Sequence, residues 1–307
     1  MEKNISSSLT VFANFFIDNE ERLQRMKDSY RSFEKIQPRE WIINIRGKLK
    51  LETGEFLKKE IGDKVKIFYL NSTFGWSYDS KKIFINISGE YVLNWIEDHI
   101  LLAPPKILLN CIKEMDKYNV DQLWYSWFLP TVLSPFDQIE KMNQGSYITC
   151  RKIGNLECAK LREFRKKNGN FNDFCIVSAQ SIMKKSFFQK VLYSNKPYFK
   201  RYPRKTPYDF EKRSKDNVSK EIVHAIPNKE LFVSIDDDLH NPGYSLISRG
   251  LYENRMSRIE LKISENPPLP LRKKIKKIIP KFLLPFILKL IGYSYRTLYT
   301  INVIWNK

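Results

Sequence analysis

Short apolar runs alternate along the chain with segments whose apolar residues recur every three or four positions. Residues 9–17, rich in β-branched and aromatic side chains, predict a first strand. Asp18 or Asn19 can then cap a helix whose apolar residues fall at Leu23, Met26, Tyr30, Phe33 and Ile36, a single buried stripe. Residues 41–45, 65–70 and 91–96 predict the second, third and fourth strands. Pro104-Pro105 opens a helix with Leu108, Cys111, Ile112 and Met115 on one face, because proline is tolerated in a first helical turn. Residues 122–128, 173–178 and 230–235 predict further strands, and residues 184–193 a helix. The span 134–172 is less periodic, rich in Lys, Arg, Asn and Gly, and reads as a connecting region. Strands alternating with amphipathic helices imply an α/β domain with a mainly parallel sheet covered on both sides.

At 307 residues the chain can bury a large core, and its 42% hydrophobic content is that of a globular protein. The formal charge of +19 adds a requirement: an anionic partner, whether nucleic acid, membrane or a phosphorylated small substrate. Cys111, Cys150, Cys158 and Cys175 show no CxxC spacing, so neither a zinc site nor a disulfide framework is indicated. The first residues lack a charged-then-apolar signal pattern, which argues against secretion.

Composition shifts at Asn266-Pro267-Pro268-Leu269-Pro270, which reads as a linker between a domain over 1–265 and a tail over 266–307. Six of the ten residues 272–281 are basic, and residues 278–291 are apolar but broken by two prolines and two lysines. A bilayer-spanning helix wants about 20 mostly apolar residues. The tail is therefore expected to lie in an anionic membrane interface, lysines among headgroups and Phe, Leu and Ile below them. The alternative is a terminal helix docked on the protein's own core.

Candidate chemistry gathers where strands end in charge. The run 91–96 finishes in Glu97-Asp98-His99, delivering two carboxylates and an imidazole to the carboxyl edge of the sheet, where open α/β sheets bind ligands. Adjacent carboxylates need a cation, a proton or open water, and hard divalent cations such as Mg2+ or Mn2+ prefer oxygen ligands while leaving positions for phosphate. An ordinary acidic loop is the plainer reading. Thr206, Pro207 and Asp209 have capping-box spacing, so Asp209 reads equally as a capping acid and as a general base. Asp236-Asp237-Asp238-Leu239-His240 ends another strand; the acids read as a solvated turn before Asn241-Pro242-Gly243, and His240 as a group able to hold metal. His224 has no acidic cluster beside it and reads as structural. No GxGxxG, P-loop or GxSxG pattern occurs, which argues against dinucleotide oxidoreductases, P-loop NTPases and α/β-hydrolases.

In their order, these pieces resemble a GT-A (Rossmann-like) glycosyltransferase, most nearly the bacterial family 2 enzymes of surface polysaccharide synthesis, over about the first 245 residues. Phe15-Phe16-Ile17-Asp18-Asn19-Glu20-Glu21 looks like that family's first strand and Asn-Glu-Glu turn, and residues 91–99 resemble the strand ending in its DxD metal motif. Residues 176–188 look like the acceptor-side strand and helix, and Tyr208-Asp209-Phe210-Glu211 like the helix bearing the catalytic base. Departures are plain: Ile96 takes the first acidic position, Tyr208 stands where the base motif has Glu, and Arg46-Gly47 stands where many relatives place Asp for the nucleobase. The resemblance implies donor contacts at Asn19, Glu20, Arg46 and Glu97, a divalent cation held by Asp98 with Glu97, His99 or His240, and Asp209, alone or with Glu211, as base of an inverting displacement. It further implies a nucleotide-sugar donor, a glycan or lipid-linked acceptor, and a peripheral place on the cytoplasmic face of the membrane. No recognisable nucleic-acid-binding motif occurs, so no nucleic-acid partner is expected, although the charge keeps a nucleotidyl-transfer protein as one rival. A GT-A-like scaffold without activity is the other.

Overall fold

In a computed structural model, residues 8–72, 75–126, 136–137, 139–167, 177–193, 207, 210–211, 221–238 and 243–253 are described. Eleven strands lie among them: β1 (Leu9–Phe16), β2 (Glu40–Arg46), β3 (Val65–Phe68), β4 (Tyr91–Asn94), β5 (His99–Leu101), β6 (Gln122–Trp124), β7 (Lys141–Gln144), β8 (Ile148–Ile153), β9 (Ser181–Lys184), β10 (Ile222–Pro227) and β11 (Phe232–Ser234). The helices are α1 (Glu20–Phe33), α2 (Lys50–Ile61), α3 (Trp76–Phe84), α4 (Pro105–Lys117), α5 (Asn155–Lys167) and α6 (Lys185–Leu192).

Nine strands form one sheet in the order β3-β2-β1-β4-β9-β6-β10-β8-β7, while β5 and β11 pair separately. Only β9 and β8 run against the rest, since β1 to β4 pair in parallel, β9 is antiparallel to both β4 and β6, and β8 is antiparallel to β10 and β7. This is the α/β, mainly parallel arrangement flanked by helices that the sequence predicts for a GT-A-like chain.

The period-2 alternation of β1 explains both layers. Leu9, Val11, Ala13 and Phe15 face a core shared with Leu23, Met26 and Phe33 of α1, Leu57 of α2 and Leu108, Cys111, Ile112 and Met115 of α4. Phe12 faces the opposite core, with Ile83 and Phe84 of α3, Leu161 of α5 and Phe187, Phe188 and Val191 of α6. Burying one such side chain is worth about 1.5–3 kcal/mol. Beneath the carboxyl edge, Trp95 packs edge-on against Phe15, Phe33 and Trp41. Its indole N–H donates 2.9 Å to Ser29 Oγ, which itself donates 2.5 Å to the His99 carbonyl.

The connecting region 134–172 holds β7, β8 and α5, and β9, β10, α2 and α3 also go beyond the predicted elements. Prediction ran long elsewhere: β4 stops at Asn94 and β6 at Trp124. Residues 171–176, most of the predicted strand 173–178, lie outside the described residues, as do Thr206, Asp209, His240 and the whole tail 266–307. Among the described residues, no helix is long and apolar enough to cross a membrane.

Candidate active site

Three strand ends build one crevice. At the end of β1, Ile17 N–H donates 2.8 Å to the Arg46 carbonyl, and Leu49 N–H returns 3.1 Å to the Ile17 carbonyl, tying the exits of β1 and β2 together. The turn between them passes through Gly47 at φ +100°, where a Cβ would lie 2.1 Å from the Ile17 carbonyl oxygen; only glycine fits. Asn19 caps α1, its side chain accepting 2.9 Å from Arg22 N–H, and Glu20 is exposed in the first turn. At the end of β4, Trp95 N–H donates 2.8 Å to the Phe12 carbonyl, and a tight turn carries the chain through Glu97 and Asp98 to His99.

The acids of this edge are stitched to α1 by two arginines three residues apart. Arg22 donates 3.2 Å to Glu97 and 3.2 Å to the Phe16 carbonyl, with Asp18 3.5 Å away. Arg25, with only 2% of its side chain exposed, donates 2.8 Å to Glu21 and 2.8 Å to Asp236. Burial alone would lower the Arg25 pKa, but the two carboxylates outweigh it and hold the guanidinium more firmly charged.

Asp98 accepts 2.7 Å from His99 Nδ1. Burial would raise its carboxyl, but the His99 charge and hydrogen bond, then Arg25 and Arg22, prevail and hold it below the usual range. Its side chain nevertheless remains 37% exposed, so it presents an ionised oxygen to the crevice. His99 turns away: its side chain is 3% exposed and Nε2 is buried with no hydrogen-bond partner among the described residues. Above it, Tyr125 donates 2.6 Å to the Asn94 carbonyl, and burial followed by Asp98 and Glu97 pushes its phenol well above the ordinary value.

Arg46 lies beneath the crevice rather than in it. It is 2% exposed, with Nε donating 3.0 Å to Asn14 Oδ1 and its guanidinium 5.8 Å from the centre of the Phe16 ring. Burial lowers its pKa to about 10, against the pull of Asp79 and Glu97. Asn14 also donates to Ser80 (2.9 Å) and to the Trp76 carbonyl (3.0 Å), and Asn44 donates to Asn14 (2.9 Å). That network locks the exits of β1 and β2 to the start of α3. Between α3 and the ends of β1 and β4 opens a small cleft, bordered by Asn14, Trp76, Asn94, Glu97, Ala179 and Pro207.

Glu211 stands behind one wall of that cleft, accepting 2.9 Å from Ala179 N–H and 3.4 Å from Ser178 Oγ, while neighbouring Phe210 packs on Trp76 and Phe188. The second acidic focus divides in two. Asp236 faces inward to Arg25, whereas Asp238 accepts from Tyr244 N–H (2.9 Å), Ser245 N–H (2.8 Å) and Ser245 Oγ (2.7 Å), capping the following turn. Among the described residues no three of His, Cys, Asp and Glu converge as metal donors. The structure thus gathers Asn19, Glu97 and Asp98 at one edge, sets Arg46 and His99 beneath it and Glu211 behind its wall. Sequence reasoning passed over Arg22, Arg25 and Asn14. The available signal was two arginines on the same helix face as Leu23 and Met26, a place where long cations are buried only when paired.

No family model matches this sequence, nor does any curated protein. Solved structures with a similar arrangement include S. aureus TarS 1-349, at 12% identity over 74% of this chain and 60% of that one, TM-score 0.47. The complex of S. aureus TarS 1-349 with UDP is similar at 11% identity over 92% of this chain and 78% of that one, TM-score 0.49. The mannosyltransferase PcManGT from Pyrobaculum calidifontis, in complex with GDP-Man and Mn2+, is similar at 10% identity over 96% of this chain and 84% of that one, TM-score 0.48. The chain spans 60% of the length of the first of these.

Proposed function

We propose that the protein is a glycosyltransferase that moves a sugar from a nucleotide-sugar donor to a hydroxyl of a glycan or lipid-linked acceptor in surface polysaccharide synthesis. One observation carries this reading: an ionised, part-exposed Asp98 and an arginine-paired Glu97 stand at the carboxyl edge of a mainly parallel sheet, beside a cleft walled by Asn14, Trp76 and Ala179.

The donor set fits a divalent cation, Mg2+ or Mn2+. Such ions are held by one or two carboxylates, with substrate phosphates completing the shell. Asp98 would be the principal ligand, Glu97 a second once it parts from Arg22, and His240 a further candidate. Four carboxylates at this edge (Asp18, Glu21, Glu97 and Asp236) share two guanidinium groups, Arg22 and Arg25, while Asp98 pairs with His99, so negative charge is left for a cation to balance. The cation would supply Lewis-acid neutralisation of the departing diphosphate. The protein's own part is to hold Asp98 ionised through His99, to keep positive charge at Arg22 and Arg46 near the leaving group, and to remove the acceptor proton. Asp209, alone or with Glu211, is the general base in this reading, a role carried over with the inverting outcome from the resemblance; Pro207 and Glu211, its neighbours in the chain, border the cleft and its wall. The basic tail would keep the enzyme at the cytoplasmic membrane surface near such acceptors.

The test is release of nucleoside diphosphate from a panel of nucleotide sugars, with Asp209→Asn and Glu211→Gln beside the native chain. Asp209→Asn should slow turnover about 10²–10⁴-fold with donor affinity unchanged. Turnover by that variant at the native rate would remove Asp209 from the mechanism.

A further inference from the structure

The helix pair α3 and α6 differs from the other helices in its outer charge. α1, α2, α4 and α5 each mix acids with their lysines and arginines, as in the Glu52, Glu55, Glu60 and Lys50, Lys58, Lys59 of α2. Across α3 and α6 the one acid is Asp79, which is fully buried and turned inward to the Ser72 N–H. Lys81, Lys82 and Lys190 remain on the outer side, and the first exposed carboxylate in the chain after α3 is Glu90, beyond its end. Among these lysines stand three apolar tips: Ile85 at 84% exposure, Tyr193 at 42% and Tyr78 at 40%.

Lys82 Nζ lies 4.8 Å from the centre of the Tyr78 ring and Lys81 Nζ 5.5 Å from that of Tyr193. Tyr193 also packs edge-on against Phe84 and donates 3.0 Å to the Lys81 carbonyl, so the two helices present one rigid surface. Cations resting on the rings leave them poorly placed to stack bases, whereas tyrosines beside ammonium groups, around a protruding aliphatic tip, match a bilayer interface. We propose that the α3–α6 face is a docking surface for an anionic phospholipid membrane. Ile85 enters the acyl boundary, Tyr78 and Tyr193 sit at headgroup level, and the lysines meet lipid phosphates. This contact lies within the folded domain and is separate from the tail. Because α3 begins at Trp76, in the cleft wall, and runs about 13 Å to Phe84, docking here would hold the cleft within reach of the lipid surface.

The test is co-sedimentation of the full chain with phosphatidylcholine vesicles carrying about a quarter phosphatidylglycerol, for the native protein, Lys82→Gln/Lys190→Gln and Ile85→Ser. Each lost lysine should lower the partition coefficient about fivefold, so the double variant should fall roughly 25-fold. Ile85→Ser should weaken binding further, and vesicles of phosphatidylcholine alone should bind little. Circular dichroism melts identical to the native protein would exclude misfolding, and unchanged nucleotide binding would separate this surface from the transfer site. Variants that bind the anionic vesicles as tightly as the native chain would overturn the proposal and leave the tail as the membrane contact. So would native binding indifferent to phosphatidylglycerol, or variants that lose affinity for a single-stranded oligonucleotide but not for vesicles.

Discussion

Two histidines closed off from solvent sit in opposite surroundings. His99 meets the Asp98 carboxylate at 2.7 Å, within an edge where Arg22 and Arg25 bind four further acids. His224 lies in the middle of the sheet, stacked on Phe136 at 5.0 Å and edge-on to Trp124 at 5.1 Å, with neither ring nitrogen hydrogen-bonded among the described residues. Burial, and then the Arg151 charge, lower its pKa to about 3, so it stays neutral. The contrast shows what partners do to buried ionisable groups: at the strand ends the Asp98 carboxylate and the Arg25 guanidinium keep their charge, and in the sheet centre the lone His224 imidazole stays neutral.

The sharpest way to break the charged side of that contrast is Arg25→Met. It would strand Glu21 and Asp236 without their cation, and denaturant unfolding should record a loss of about 3–5 kcal/mol. A loss below about 1 kcal/mol would mean that water or a rearranged neighbour already satisfies those acids. Gly47→Ala comes next. A Cβ 2.1 Å from a backbone oxygen at φ +100° forces the β1 and β2 exits apart, costing about 2–3 kcal/mol and weakening ligand binding at the edge. A variant with native melting temperature and affinity would show that the turn can relax freely.

His224→Phe sharpens the neutral side. The folded-state pKa lies below the unfolded value, so in acid the unfolded chain takes the proton first. Stability from the neutral ring is fully present above about pH 6.5 and is lost progressively as pH falls toward about 3. Between pH 7 and pH 5 the native protein should lose about 2 kcal/mol more than the variant; parallel pH profiles would count against a buried neutral His224. The smallest effect is on metal affinity. His99→Asn keeps a donor near the Nδ1 position and should bind Mn2+ nearly as the native chain does, whereas His99→Phe should lose about tenfold, read by calorimetry in the presence of nucleoside diphosphate. Equal loss in both variants would instead fit His99 as a direct ligand.

Much of the fold was legible where one face of an element is apolar. The α1 stripe Leu23, Met26, Tyr30 and Phe33 is buried as its spacing predicts, and so are Leu108, Cys111, Ile112 and Met115 of α4. Legibility failed where the signal is short or mixed. β9 has four residues and gains its place from pairing with β4 and β6, and α2 buries little beyond Thr53, Gly54 and Leu57. In the edge strand β7 the residues are Lys, Met, Asn and Gln, a polar ladder set by its neighbour β8 rather than by its own pattern. At the site, the acids at 97 and 98 were visible because they interrupt an apolar run. Their partners were not, since nothing in sequence spacing links Arg25 to Asp236, 211 residues away.

The most direct measurement is calorimetric titration of the full chain with UDP, GDP, CDP and dTDP, each with and without Mn2+, repeated on Asp98→Ala. If the proposed sugar transfer takes place at this edge, the chain should bind one nucleotide in a metal-dependent way and lose that binding in the variant. A well-folded native chain that binds none of the four, with or without metal, would contradict it.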